Sequence, residues 1–156
     1  MIAIGVDPGL EGGFAALTPD GLVLRVMPTA PAGKKRVLDE RQIVQWLLQF
    51  PANRTRVFIE SVASRPGQSV VAMFSFGAGW GLVRGICAGL GLPYELVRPQ
   101  EWQGEMLKGQ PKGSEYLVAS RLWPNADWLA AGRFRTPHSG LVDSALIAEH
   151  GRRKCP

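Results

Sequence analysis

The strongest constraint on this chain is a pair of short, β-branched apolar runs that each finish on a carboxylate: residues 2–7 read IAIGVD and residues 56–60 read RVFIE. Runs of this length and composition suit strands buried on both faces of a sheet. The first stops at Asp7-Pro8-Gly9, a turn signal, which places Asp7 at the carboxyl end of its strand. Glu60 ends the second run in the same way, before a polar segment, residues 61–68, that contains Pro and Gly. Parallel pairing of the two strands sets Asp7 and Glu60 side by side.

The rest of the pattern fills in an α/β unit. Residues 13–17 and 22–27 are further apolar runs separated by Thr-Pro-Asp-Gly, which suits a hairpin, so the chain is expected to open with a three-stranded antiparallel meander. Residues 28–36 read as a loop ending in Lys34, Lys35 and Arg36. Asp39 then caps a helix in which Ile43, Trp46, Leu47 and Phe50 recur at helical spacing. After Glu60 a long helical pattern runs from about residue 69 toward residue 91, and residues 94–97 form a fifth strand. A short helical stretch with Trp102, a basic mobile loop over residues 108–113, a helix over residues 114–122 and an irregular segment over residues 125–137 lead to a last helix over residues 138–151. With 156 residues and 46% hydrophobic content, the chain is expected to form one domain over residues 1–156.

Charge and cysteine usage narrow the function classes. A formal net charge of +5 and a pI near 9.7 make a polyanion a reasonable partner. Cys87 and Cys155 give neither a disulfide framework nor zinc spacing, which fits a reducing cytoplasm. The N-terminus lacks the features of a signal peptide. Residues 70–93 are apolar and long enough to cross a bilayer, but Arg84 and many glycines argue for a buried helix of a soluble protein and against a membrane. Gly77, Gly81, Gly85 and Gly89 share one face of that helix. A bare face of this kind allows close packing on the sheet, the preferred reading, or on a partner subunit.

Three acids thus sit where apolar elements end or begin: Asp7, Glu60 and, in the first turns of the last helix, Asp143, with His138 at that helix's start. Three of these four residues have an ordinary explanation: a turn former for Asp7, a dipole partner for Asp143, a helix-start hydrogen bonder for His138; Glu60, an acid ending an apolar strand, reads as functional rather than structural. Brought together, clustered carboxylates repel one another and call for a cation. Oxygen donors favour Mg²⁺ or Mn²⁺, and two such ions about 4 Å apart can activate water and stabilise a leaving oxygen in phosphodiester hydrolysis.

The order of these elements, with the stretches IGVDPGLEGGFAAL, VFIESVASRPGQSV, FGAGWGLVRGICAGLGLPYELVRPQEWQ and PHSGLVDSALIAEH, resembles the RuvC-type Holliday junction resolvases over nearly the whole chain. The resemblance implies an RNase H-like fold, with a mixed five-stranded sheet of a three-stranded antiparallel meander plus two parallel strands, flanked by helices. It implies metal ligation by Asp7, Glu60, Asp143 and His138, with two Mg²⁺ ions for which Mn²⁺ substitutes. It also implies a homodimer that makes paired nicks in branched DNA, leaving 5′-phosphate and 3′-hydroxyl ends, in the cytoplasm of a bacterial or phage-infected cell. Lys112 looks like the family lysine near the active site, where it stabilises charge on the phosphate. Lys34, Lys35, Arg36, Arg65, Lys108, Lys112, Arg133 and Arg135 are candidate phosphate contacts, and Trp102 reads as packing rather than as a base-stacking platform.

Two departures stand out. Ser139 or Gly140 occupies the place where the family commonly has an acid, with His138 as the substitute ligand, and Ala63 stands near the place of the junction-stacking aromatic. The first departure leaves open a non-catalytic module that binds branched DNA without cutting it. An actin-like kinase or ATPase fragment fits poorly, because that fold repeats this unit and needs a second phosphate loop. No nucleotide cofactor is expected.

Overall fold

The computed structural model describes residues 1–61, 67, 69–130 and 135–155. Its centre is a five-stranded sheet in the order β3-β2-β1-β6-β7. Strands β1 (Ile2–Asp7), β2 (Gly13–Thr18) and β3 (Gly21–Val26) form the expected antiparallel meander, turning at Gly21 with a φ of 129°. Strand β6 (Thr55–Glu60) pairs parallel with β1, and β7 (Tyr94–Val97) pairs parallel with β6. The sheet is mixed, as the sequence implies.

Residues 28–36, expected as a loop, instead contribute to a separate two-stranded hairpin: β4 (Thr29–Ala32) pairs antiparallel with β5 (Lys35–Leu38). Pro31 and the charged triplet obscured it. Pro is tolerated there because the ribbon has only edge strands, and Gly33, at a φ of 62°, supplies the left-handed turn residue. Helix α1 (Glu40–Leu47) follows, capped by Asp39, whose carboxylate accepts from the Gln42 amide at 3.1 Å. The remaining helices are α2 (Val70–Gly89), α3 (Pro99–Met106), α4 (Glu115–Leu122) and α5 (Ser139–Lys154).

Side-chain alternation explains the two layers. Along β1, Ile4 and Val6 point to one face and Ala3 and Gly5 to the other; along β2, Phe14 and Ala16 oppose Ala15. The bulky face joins Trp46 and Leu47 of α1, Val83 and Cys87 of α2, and Val57 and Ile59 of β6 in one core. On the small-residue face, α5 lies directly on the backbone with Phe58, Trp102 and Ala119 around it. A Cβ at Gly5 would overlap Ser144 O and Ala148 N and stand 3.0 Å from Ala148 Cα; one at Gly140 would stand 2.5 Å from Glu11 O and Gly12 Cα. Glycines therefore set how closely α5 crosses β1.

Helix α2 overturns one expectation. Its length and limits agree with the sequence pattern, but it is not a buried helix: only Gly79, Val83 and Cys87 are buried along its 20 residues. Val70, Val71 and Phe74 are 70–78% exposed, and a Cβ at Gly77, Gly81, Gly85 or Gly89 would meet nothing within 4 Å. The glycine face looks away from the sheet. Contact with the sheet side is made through Gly79, where a Cβ would lie 2.9 Å from Pro8 O and 3.2 Å from Leu38 Cδ1. Among the described residues α2 is long and apolar enough to cross a membrane by length and composition.

Candidate active site

Register and alternation bring the first two acids together. β1 and β6 pair from Ile2 with Thr55 through Val6 with Ile59, so one step further Asp7 and Glu60 lie side by side. Asp7 shares its strand face with Ala3 and Gly5, and Glu60 shares its face with Phe58. Both carboxylates thus emerge on the α5 side of the sheet. The close crossing of α5 at Gly5 places Asp143, adjacent to Ser144, above this pair.

Asp7 is part-buried, and its Oδ1 accepts from the Gly9 amide at 3.3 Å. Burial pushes its pKa up and the Gly9 bond pulls it partly back. The turn-forming role is therefore present alongside whatever else the carboxylate does. Asp143 is pushed up to about 7, first by burial and then by the negative charges of Asp7, Glu60 and Glu115. It lies beyond the first turn of α5, which holds no acidic residue. The helix dipole falls off within that turn, so dipole pairing does not account for Asp143.

Among the described residues, the charges of Asp7, Glu60 and Glu115 all oppose ionisation of Asp143, and burial adds to the cost. Such a donor set, anionic and all oxygen, fits a hard divalent cation. No three His, Cys, Asp or Glu side chains among the described residues are already gathered into a metal cage. The fit thus rests on charge and donor chemistry rather than on a closed pocket.

His138 is the N-cap residue of α5 and is 3% exposed. Its side chain makes no capping hydrogen bond; its backbone amide donates to Trp128 O at 2.8 Å. Lys112 is exposed in the turn before α4, three residues ahead of Glu115. Lys34 and Lys35 are exposed on the β4–β5 hairpin. Arg36, also exposed, pairs with Glu11, which lies in the loop that follows Asp7. Lys108 and Arg135 are exposed, whereas Arg65, Arg133 and Ala63 lie outside the described residues.

Near the acids, the sequence reading missed Glu115 altogether and one role of Trp102. Glu115, at the start of α4, adds to the field on Asp143. An acid in the first turn of a helix is ordinarily explained by the dipole, so no local signal marks it. Trp102 is 1% exposed in the core, as a packing residue would be, yet its Nε1–H donates to Glu60 Oε1 at 2.8 Å.

Comparison with known proteins agrees with this geometry at the level of the fold. No protein-family model and no curated protein sequence matches the chain. Among solved structures, it is similar to Thermus thermophilus RuvC in complex with a Holliday junction substrate, with a TM-score of 0.63 and 15% identity over 99% of this chain and 96% of that one. A Thermus thermophilus RuvC structure gives 0.61 and 18% identity over 98% and 96%. The yeast mitochondrial Holliday junction resolvase Ydc2 gives 0.55 and 14% identity over 96% and 77%. Nearly end to end, this chain has the RuvC-like, RNase H-like fold.

Proposed function

We propose that this protein is a metal-dependent endonuclease that hydrolyses phosphodiester bonds in branched DNA, Holliday junctions included. The observation that carries the reading is the electrostatic coupling of Asp143 to Asp7 and Glu60 at the adjoining ends of two parallel strands. Its support from comparison is the similarity to a RuvC bound to a Holliday junction.

Asp7, Glu60 and Asp143 would hold the divalent ions, with His138 at the start of the same helix as a further donor. Bound Mg²⁺ or Mn²⁺ supplies Lewis acidity, a lowered pKa for water and charge neutralisation at the phosphate. The residues provide the rest. Gly5 and Gly140 fix α5 at a distance that keeps Asp143 over the strand ends. The exposed Lys112, Lys34, Lys35 and Lys108 supply screened positive charge for the DNA backbone, and such contacts position the substrate without reading its sequence.

The test separates binding from cutting. Asp7→Asn is expected to bind a labelled four-way junction within a few-fold of the unaltered protein while its Mg²⁺-dependent cleavage falls by at least about 100-fold. Equal cleavage by both proteins would refute the assignment of Asp7. Binding without cleavage by the unaltered protein, in either metal, would instead identify a junction-binding module.

The functional unit of this reading is a homodimer, and the outward face of α2 is its contact. Each interior glycine costs a helix about 1 kcal/mol against alanine, and an exposed apolar patch of this kind ordinarily marks an interaction surface. Val70, Val71 and Phe74 supply apolar area, while Gly77, Gly81, Gly85 and Gly89 leave room for close backbone approach. A second copy suits a two-fold junction, because two sites must be held at symmetry-related strands. Sedimentation is expected to give twice the chain mass of 16.9 kDa, and Gly81→Glu to give the single mass. A monomeric unaltered protein would contradict the dimer, and co-flotation of that monomer with lipid vesicles would assign the face to a membrane.

A further inference from the structure

We propose that Trp102 is a positioning residue for Glu60: its buried indole N–H holds the carboxylate in the orientation required for divalent metal binding. The inference rests on the reading of Asp7, Glu60 and Asp143 as metal ligands. Trp102 lies in α3, which begins directly after β7 at Arg98 and Pro99. Glu101 anchors the start of this helix, accepting from the Arg98 backbone amide at 3.3 Å and from its guanidinium at 2.6 Å. The indole is 1% exposed and packs in the layer that contains Phe58, Val97, Met106 and Ala119. Its N–H reaches Glu60 Oε1 at 2.8 Å, across 42 positions of sequence.

The chemistry favours an indole at this point. A carboxylate offers about four acceptor sites, and the indole is a donor only, so its bond to Oε1 orients the group while occupying a single one of those sites. The donor is also neutral. A lysine or arginine in the same place would cancel part of the negative charge that attracts the metal, whereas Trp102 restricts the rotamers of Glu60 and adds no charge of its own. Hydrogen bonds behind metal-ligating groups typically matter by about 10- to 100-fold in metal affinity. The large apolar body of Trp102, held in the core, gives its N–H a fixed direction.

Electron paramagnetic resonance of free Mn²⁺ can measure affinity in the full chain and in Trp102→Phe, with kcat and the Mn²⁺ dependence of junction cleavage followed in parallel. The Kd for Mn²⁺ is expected to rise by about 10- to 100-fold in the variant. Cleavage should return toward the unaltered kcat as Mn²⁺ is raised by the same factor. A purely packing role lowers thermal stability and leaves Mn²⁺ affinity alone, so an unchanged Kd in a folded variant overturns the proposal. If the unaltered protein binds no Mn²⁺, the nuclease reading falls and this inference falls with it; if it binds Mn²⁺ and only the variant comparison fails, this inference alone is lost.

Phe leaves a void, so a second measurement uses the unaltered chain. The Trp102 indole N–H resonance, one of five tryptophan signals, is expected to shift on addition of Mg²⁺ with the Kd found by calorimetry. A resonance that stays in place through saturation overturns the proposal.

Discussion

Asp143→Asn is expected to raise the thermal midpoint of the metal-free protein at pH 8 by about 3–6 °C while reducing Mg²⁺-dependent junction cleavage by at least about 100-fold. The stability sign follows from the raised pKa. In the folded chain burial and the neighbouring acids push the Asp143 pKa up to about 7, from the ordinary aspartate value of about 4. Between these values the folded state holds a proton that the unfolded state releases. The resulting contribution is fully present below about pH 4 and is lost as pH rises through about 7. One pKa unit corresponds to about 1.4 kcal/mol, so a shift of this size sets an upper limit near 4 kcal/mol; relaxation and water entry reduce it to about 1–2 kcal/mol.

Asn imitates the protonated carboxyl and carries no charge at any pH. The variant should therefore come closest to the unaltered protein near pH 4 and exceed it most at pH 8, with Mg²⁺ narrowing or reversing the difference. Thermal scans at the two pH values, with Mg²⁺ and with chelator, check each part. A pH-independent difference would mean that Asp143 is not the strained acid of this cluster.

The second large effect is expected at Gly5. Gly5→Ala should destabilise the protein by about 3 kcal/mol or more, because its Cβ would meet the Ser144 and Ala148 backbone rather than a side chain that can rotate away. The α5 helix would have to lift, carrying Asp143 away from Asp7, so residual folded protein should also bind Mn²⁺ more weakly. Gly104→Ala is the matched control. A Cβ at Gly104 meets nothing within 4 Å, and alanine should stabilise α3 by about 0.5–1 kcal/mol. Urea midpoints of the two variants moving in the same direction would contradict this packing account.

Much of this architecture was legible because strand alternation is a local property. IAIGVD and RVFIE specify two buried strands ending on acids, and their parallel pairing follows from the intervening meander and helix. What remained hidden depends on partners distant in sequence. The polar end of Trp102 is silent until Glu60 stands beside it, and Glu115 looks like any acid at a helix start.

Helix α2 failed for a related reason. An apolar composition shows that a surface seeks cover but not whether the cover comes from the same chain. Val70, Val71 and Phe74 are exposed, so burial was the wrong expectation within this chain. The β4–β5 hairpin was missed because Pro31, Gly33 and Lys34 are loop formers in most settings and its pairing is confined to two edge strands. Arg36 looked like a phosphate contact, and its pairing with Glu11 could be seen only in three dimensions.

The most direct measurement is cleavage of an end-labelled four-way junction beside a linear duplex of the same arms, in Mg²⁺ and in chelator, with the cut positions mapped on all four strands. The expected result is metal-dependent nicks at symmetry-related positions in two opposing strands of the junction, leaving 5′-phosphates, with the duplex intact. A junction that is bound but uncut in both Mg²⁺ and Mn²⁺, or a duplex cut as readily as the junction, would contradict the proposed branched-DNA endonuclease.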